Sequence, residues 1–148
     1  MITTGNIHTE IDREMLIRKA FEARKYSYSP YSKFKVGAAL LSKDGEVFTG
    51  CNAENASYTP GSCAERTAFY KAVSEGVRTF VAIAIVGGYD NGDKLDFCAP
   101  CGVCRQVMSE FCTGDFEIIL AKSEYEYKIY TLDELLPVRF GPEDLENN

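Results

Sequence analysis

The sequence predicts an α/β protein, a three-layer α/β/α arrangement built on a mixed, mostly five-stranded sheet. Two observations carry that expectation. Strand-like and helix-like runs alternate in the order α-β-β-α-β-α-β-β. Within that order a strand, a helix and a strand follow one another twice, which implies parallel neighbours with helices covering the sheet faces. A length of 148 residues is one domain by the usual size relation, so residues 1–148 are taken as a single unit.

The elements follow in order. Thr9 is the expected N-cap of a first helix, with Ile11, Met15, Ala20 and Phe21 as its apolar stripe and Arg18, Lys19 and Glu22 on other faces. The pattern dissolves in the turn-rich aromatic linker Tyr26–Tyr31. Phe34–Leu41 reads as a strand, Asp44-Gly45 as a hairpin turn and Val47–Cys51 as the returning strand. A loop over 52–62 leads to a second helix from about Cys63 to Glu75, stopped by Gly76. Phe80–Val86 is a continuous β-branched and apolar run, as in a central strand buried on both faces. After a polar loop over 87–97, a third helix is expected from Cys101 to Phe111. Strands over Phe116–Ala121 and Tyr125–Tyr130 follow, the second nearer an edge, and Thr131 caps a short helix ending at Leu136-Pro137.

Composition removes several functions. The net charge of −6 argues against a nucleic-acid partner, which needs clustered Lys and Arg. No apolar run approaches the ~18 residues of a membrane span, and Met1–Glu14 is polar, without a secretory h-region. A cytoplasmic protein is the expectation. In that reducing setting clustered cysteines, among the six present, are expected to bind metal rather than pair as disulfides. The single histidine, His8, lies in the polar N-terminal stretch and reads as a surface residue. Proton transfer then falls to carboxylates.

Cys63-Ala64-Glu65 and Pro100-Cys101-Gly102-Val103-Cys104 carry the chemistry. Catalytic zinc takes about three protein ligands and keeps one position open. Cys63, Cys101 and Cys104 meet that need, and Glu65 supplies an acid/base that is not a ligand. Cys101 and Cys104 are i and i+3 at a helix start, where both sulfurs share a face. Helix N-termini also stabilise thiolates. Three thiolates on Zn²⁺ leave a charge of −1, which Arg66 is placed to offset, with a plain surface arginine as the alternative. Cys98 extends the run to Cys98-x₂-Cys101-x₂-Cys104, but Cys112 follows too late, and without proline, for a ferredoxin pattern. Cys51 and Cys112 read as small buried hydrophobes.

The two stretches resemble the Cys variant of the H-x-E…P-C-x-x-C signature of zinc deaminases. Phe34-Lys35-Val36-Gly37-Ala38-Ala39-Leu40, Asn52-Ala53-Glu54-Asn55-Ala56-Ser57-Tyr58, Cys63-Ala64-Glu65-Arg66-Thr67-Ala68, Pro100–Gln106 and Leu135–Pro142 together resemble the small homotetrameric cytidine deaminases. The resemblance implies one zinc per subunit and hydrolytic deamination of cytidine and 2′-deoxycytidine in pyrimidine salvage. In that chemistry zinc-activated hydroxide adds to C4 while Glu65 shuttles protons. It also implies Asn52 and Glu54 on the ribose hydroxyls, Phe34 against the base, and Ala64 main-chain groups with Glu65 at the pyrimidine edge. Tyr58 and Phe140 are implied to reach a neighbouring subunit's pocket in a homotetramer with shared active sites. The residues alone leave Phe34 open as core, Asn52 as a turn former and Phe140 as a tail anchor. Ala99, where the family more often has serine, and Thr59-Pro60-Gly61-Ser62 depart from the pattern without touching a ligand.

Two alternatives stand beside this expectation. One is a relative acting on another aminopyrimidine nucleoside such as blasticidin S. The other is a structural-zinc binding protein, which would require a fourth protein ligand, and Cys98 is the residue placed to be one.

Overall fold

The computed structural model describes residues 10–89 and 95–146; His8 and the expected cap Thr9 lie outside them. Helix α1 spans Arg13–Arg24 and is capped by Asp12, whose carboxylate accepts from the Met15 amide. An acceptor there satisfies an otherwise unpaired N–H and suits the positive end of the helix dipole. The buried stripe is Leu16, Ile17, Ala20 and Ala23, rotated from the expected one; Ile11, Met15 and Phe21 pack around its margin.

Strands β1 (Phe34–Ser42) and β2 (Val47–Cys51) form an antiparallel hairpin whose turn holds Gly45 at φ +96°. That left-handed backbone favours glycine. Helix α2 (Ala64–Ser74) starts at Cys63 and gives way to Gly76 at φ +87°, a glycine stop. Strand β3 (Phe80–Tyr89), helix α3 (Gly102–Phe111) and strands β4 (Glu117–Ala121) and β5 (Tyr127–Thr131) follow. The short helix α4 (Leu132–Leu135) is closed by a capping box between Thr131 and Glu134. Strand β3 outruns the expected Phe80–Val86 because Gly87 and Gly88 still pair with Val36 and Lys35. A Cβ on Gly87 would stand 2.8 Å from the Cys98 sulfur, so glycine is what lets the 95–98 segment lie against the strand.

The sheet order is β2-β1-β3-β4-β5, and only β3 and β4 run parallel as neighbours. The first expected parallel pair, β2 with β3, is separated by β1, which pairs antiparallel with both. The burial patterns explain the choice. From Val36 to Ser42 every residue of β1 is buried, which suits an interior strand, whereas β2 alternates and takes the edge.

Alternate residues feed two cores, as the two-residue strand period dictates. Ala39, Leu41, Ala82, Ala84, Val86 and Ile119 meet α1 on one face. Val36, Ala38, Leu40, Ile83, Ile85 and Ile118 meet α2 and α3 on the other. There Phe69 of α2 packs on Phe80, Phe116 and Phe111 with ring centroids 5.1, 6.1 and 6.2 Å away. These packed rings set the distance between the two helices. No helix among the described residues is long and apolar enough to cross a membrane.

Helix α2 rides directly on β2 at Gly50, where a Cβ would overlap the Ala64 carbonyl and the Ala68 amide. Both atoms are helix backbone and cannot swing aside. Gly50→Ala is therefore expected to cost about 1–3 kcal/mol, the range for overpacked sites. The measurement is a denaturant midpoint shifted downward with an unchanged slope.

Candidate active site

Two helix starts meet at one end of the sheet. Cys63 is the N-cap of α2 and Cys101 the N-cap of α3, both with extended backbone and neither with a side-chain cap bond. Their sulfurs turn towards each other, 3.6 Å apart. Cys104, buried in the first turn of α3, completes a cluster of three sulfurs all within 4.8 Å of one another. Among the described residues this is the one such group of three or more potential metal-ligating side chains.

The cluster fits a zinc ion. Sulfurs at ~2.3 Å from a tetrahedral zinc stand roughly 3.8 Å apart, close to the spacing between Cys63 and Cys101. Charge is prepared as well. A hydrogen bond from the Cys104 thiol, then others from Arg66 and Cys101, pull the Cys63 thiol down to about 5. Cys104 moves upward through the same shared proton and through burial. Arg66 Nη2 lies 3.6 Å from the Cys63 sulfur, while its Nε is buried without a hydrogen-bond partner. A guanidinium held in this way suits a site that becomes net anionic when three thiolates bind one dication.

Glu65 lies in the first turn of α2 and is only 4% exposed. Burial, reinforced by the charge on Cys63, raises its carboxyl to about 7, and Arg66 opposes the shift. A carboxyl there exchanges a proton near neutral pH, as a group that both takes and gives must.

The site opens into a cavity of about 670 Å³, inside the roughly 300–1,000 Å³ range of small-ligand pockets. Phe34, Asn52, Glu54, Tyr58, Ala64 and Glu65 all line it, as do Arg66, Cys63, Cys98 and Cys101. Phe140 does not line it. That ring is 60% exposed, and the residue is held through its carbonyl by Gln106 and Ser109 of α3. Tyr58, also largely exposed, borders the cavity of its own subunit from the loop before α2.

Asn52 and Glu54 are already partly committed. Asn52 Oδ1 accepts from the Ser27 hydroxyl and from the Val36 amide at 2.9 Å, and Nδ2 donates to the Phe34 carbonyl at 2.8 Å. One Nδ2 hydrogen remains to be donated. Glu54 accepts from the amides of Tyr31 and Ser32 at 3.0 and 3.1 Å and from the Ser32 hydroxyl, which chiefly holds its carboxyl low. The pair thus offers one donor and one ionised acceptor side by side. No local signal in the sequence marks Ser27, Tyr31 and Ser32 as supports of the site, because their pairing with residues 52–54 is long-range. Phe34 turns an edge to Tyr89, with centroids 5.2 Å apart, and its ring also packs against the α2–α3 core.

The family description "Cytidine and deoxycytidylate deaminase zinc-binding region" matches residues 10–120. A cytidine deaminase of Halalkalibacterium halodurans is 50% identical over 137 residues, 93% of this chain and 100% of that protein. One from Sporosarcina psychrophila is 48% identical over 135 residues, covering 91% and 96%. The crystal structure of cytidine deaminase from Burkholderia pseudomallei superposes with a TM-score of 0.79 at 45% identity, over 88% of this chain and all of that one.

Metal content separates the sulfurs. Cys101→Ala is expected to lose zinc by elemental analysis, while Cys98→Ala retains one equivalent per chain. The reverse result would put Cys98 in the ligand set in place of Cys101.

Proposed function

The chain belongs to the cytidine and deoxycytidylate deaminase zinc-binding family, and from that membership and the geometry of its site we propose that it hydrolyses cytidine and 2′-deoxycytidine to the uridine forms with release of ammonia. The observation that carries the proposal is a buried Glu65 beside three clustered sulfurs, with Glu65, Cys63 and Cys101 on the wall of a cavity of small-ligand size. A place in pyrimidine salvage follows from free nucleosides as substrates.

Cys63, Cys101 and Cys104 would hold the zinc ion, with Arg66 offsetting the negative charge of the thiolates. Zinc bound there supplies the Lewis acidity that makes water a nucleophile near neutral pH. The pyrimidine lies against Phe34, with its edge at the Ala64 main chain and Glu65. The Glu65 carboxylate takes a proton from the attacking water and delivers it to N3, which makes C4 electrophilic. It then takes the remaining hydroxyl proton of the adduct and passes it to the amino group, which leaves as ammonia. Both of the water's protons are thereby placed, one on N3 and one on the leaving nitrogen. The ribose hydroxyls receive the free Asn52 donor and the Glu54 acceptor, a complement supported by the bonds those side chains already make.

The active form we propose is a single-domain subunit within a cytoplasmic homotetramer, in which Tyr58 and Phe140 extend to a neighbour's pocket. Support comes from their exposure, 82% and 60%, beside a fully exposed Val138. Free thiols at all six cysteines suit a reducing compartment.

Incubation with cytidine, 2′-deoxycytidine, CMP and blasticidin S, following ammonia, tests the substrate class; the two nucleosides are expected to react and the others not. Glu65→Gln is expected to keep zinc and the unfolding midpoint while lowering kcat about 10²–10⁴-fold, the range for a lost general acid/base. Phe140→Ala is expected to reduce activity and tetramer content without shifting the unfolding midpoint of the subunit. A fully active monomer by light scattering would refute the shared pocket.

A further inference from the structure

The helix that carries two of the three sulfurs also grips the C-terminal strap, residues 135–141. Arg105 follows Cys104 directly. Its Nε donates to the Pro100 carbonyl at 2.8 Å, and its Nη1 donates to the Leu135 carbonyl at 2.6 Å. Pro100 is the residue immediately before Cys101, and Leu135 opens the strap. One planar guanidinium therefore bridges the backbone of the metal loop to the backbone of the strap, a geometry a lysine ammonium cannot copy.

One residue further on, Gln106 Nε2 donates to the Phe140 carbonyl at 2.7 Å, and Ser109 adds a contact at 3.4 Å from the next turn. Between these anchors Arg139 reaches back to Asp133 at 2.7 Å and to the Leu136 carbonyl. Val138, fully exposed, sits at φ +50°. A β-branched residue stays in that region only where the flanking chain is fixed. The strap is thus held at both ends by α3, with a strained, outward-facing residue between.

We propose that Arg105 and Gln106 are positioning residues that join the metal loop and the C-terminal strap into one mechanical unit, so that metal loading at Cys101 and Cys104 and the placement of Phe140 are set together. The coupling rests on the reading of the cysteine cluster as the zinc site. It is reciprocal by linkage: zinc that orders the start of α3 steadies the strap, and a strap cut loose weakens zinc retention by the same factor. Partners behind metal ligands typically hold about 10–100-fold of metal affinity, which sets the size of the effect.

The test combines zinc content, the rate of zinc loss to a chelator, and amide hydrogen exchange across 135–141 in zinc-loaded and zinc-stripped protein. In the wild type, removing zinc is expected to speed exchange in the strap. Arg105→Lys is expected to lose zinc about tenfold faster, with strap exchange that no longer responds to the metal. Gln106→Ala, at an exposed position and removing a single side-chain bond to the strap, covers the case in which Arg105→Lys fails to fold; it is expected to loosen residues 138–141 and hasten zinc loss. Arg13→Ala, which breaks the ion pair with Glu117 between α1 and β4, is the control for general destabilisation and is expected to leave all three readouts alone. Absence of zinc in the wild type would overturn the metal reading and this proposal with it. Zinc present, with strap exchange indifferent to its removal or with unaltered zinc loss in both α3 variants, would overturn the coupling alone.

Discussion

The structure depends on two helix N-termini being brought to one point. Helices α2 and α3 each follow a strand of the same sheet, and β2 and β3 point the same way because β1 runs antiparallel between them. Both helices therefore begin at the same end, the crevice where open α/β sheets commonly place ligands. Capping shows what that position is for. At α1 and α4 an oxygen from Asp12 or Thr131 accepts from a first-turn amide. At α2 and α3 the cap residues are cysteines that make no such bond. Cap stability is given up there, and two sulfurs are left free to face each other in the positive field of two helix starts.

One of those helix starts also carries Glu65. It lies in the first turn of α2, and that turn is pressed onto β2 at Gly50, where there is no room for a side chain. Glu65 is only 4% exposed, and that burial is the main reason its carboxyl rises to about 7. On the opposite wall the polar groups are prepared differently. Asn52 and Glu54 spend most of their hydrogen-bonding capacity on the linker and on β1. The bonds already made hold both side chains in place on the cavity wall, so a ligand met there would require little further ordering.

Legibility in the sequence followed the range of the interaction. The sulfur cluster was readable because Cys101 and Cys104 are i and i+3, and because Cys63 opens a helix with local signals of its own. The Asp44-Gly45 turn, the Gly76 stop and the Thr131 cap are equally local, and each appears where its residues require it. The rotated stripe of α1 was not readable. Ile11 and Phe21 are as apolar as Leu16 and Ile17, and which set is buried depends on the small Ala39, Ala82 and Ala84 beneath the helix. Strand order is illegible for the same reason: β2 and β3 both have the character of partners, and only β1, buried from Val36 to Ser42, decides that it lies between them. At the site, the residue types of Asn52 and Glu54 could be read, but not the bonds they had already spent.

Cys98 is the residue that decides between a closed structural site and an open chemical one. It lines the cavity and precedes Cys101 by three residues, so spacing alone would admit it as a fourth ligand. Its surroundings argue otherwise. The sulfur lies against Gly87 of β3, close enough that a Cβ there would stand 2.8 Å away, and it falls outside the group of three sulfurs. Burial first, then the nearby charges of Glu65, Cys63 and Cys101, push its thiol up to about 12. Gly87 thus helps set the composition of the cluster: by letting Cys98 lie against the sheet, it leaves that sulfur outside the group formed by Cys63, Cys101 and Cys104.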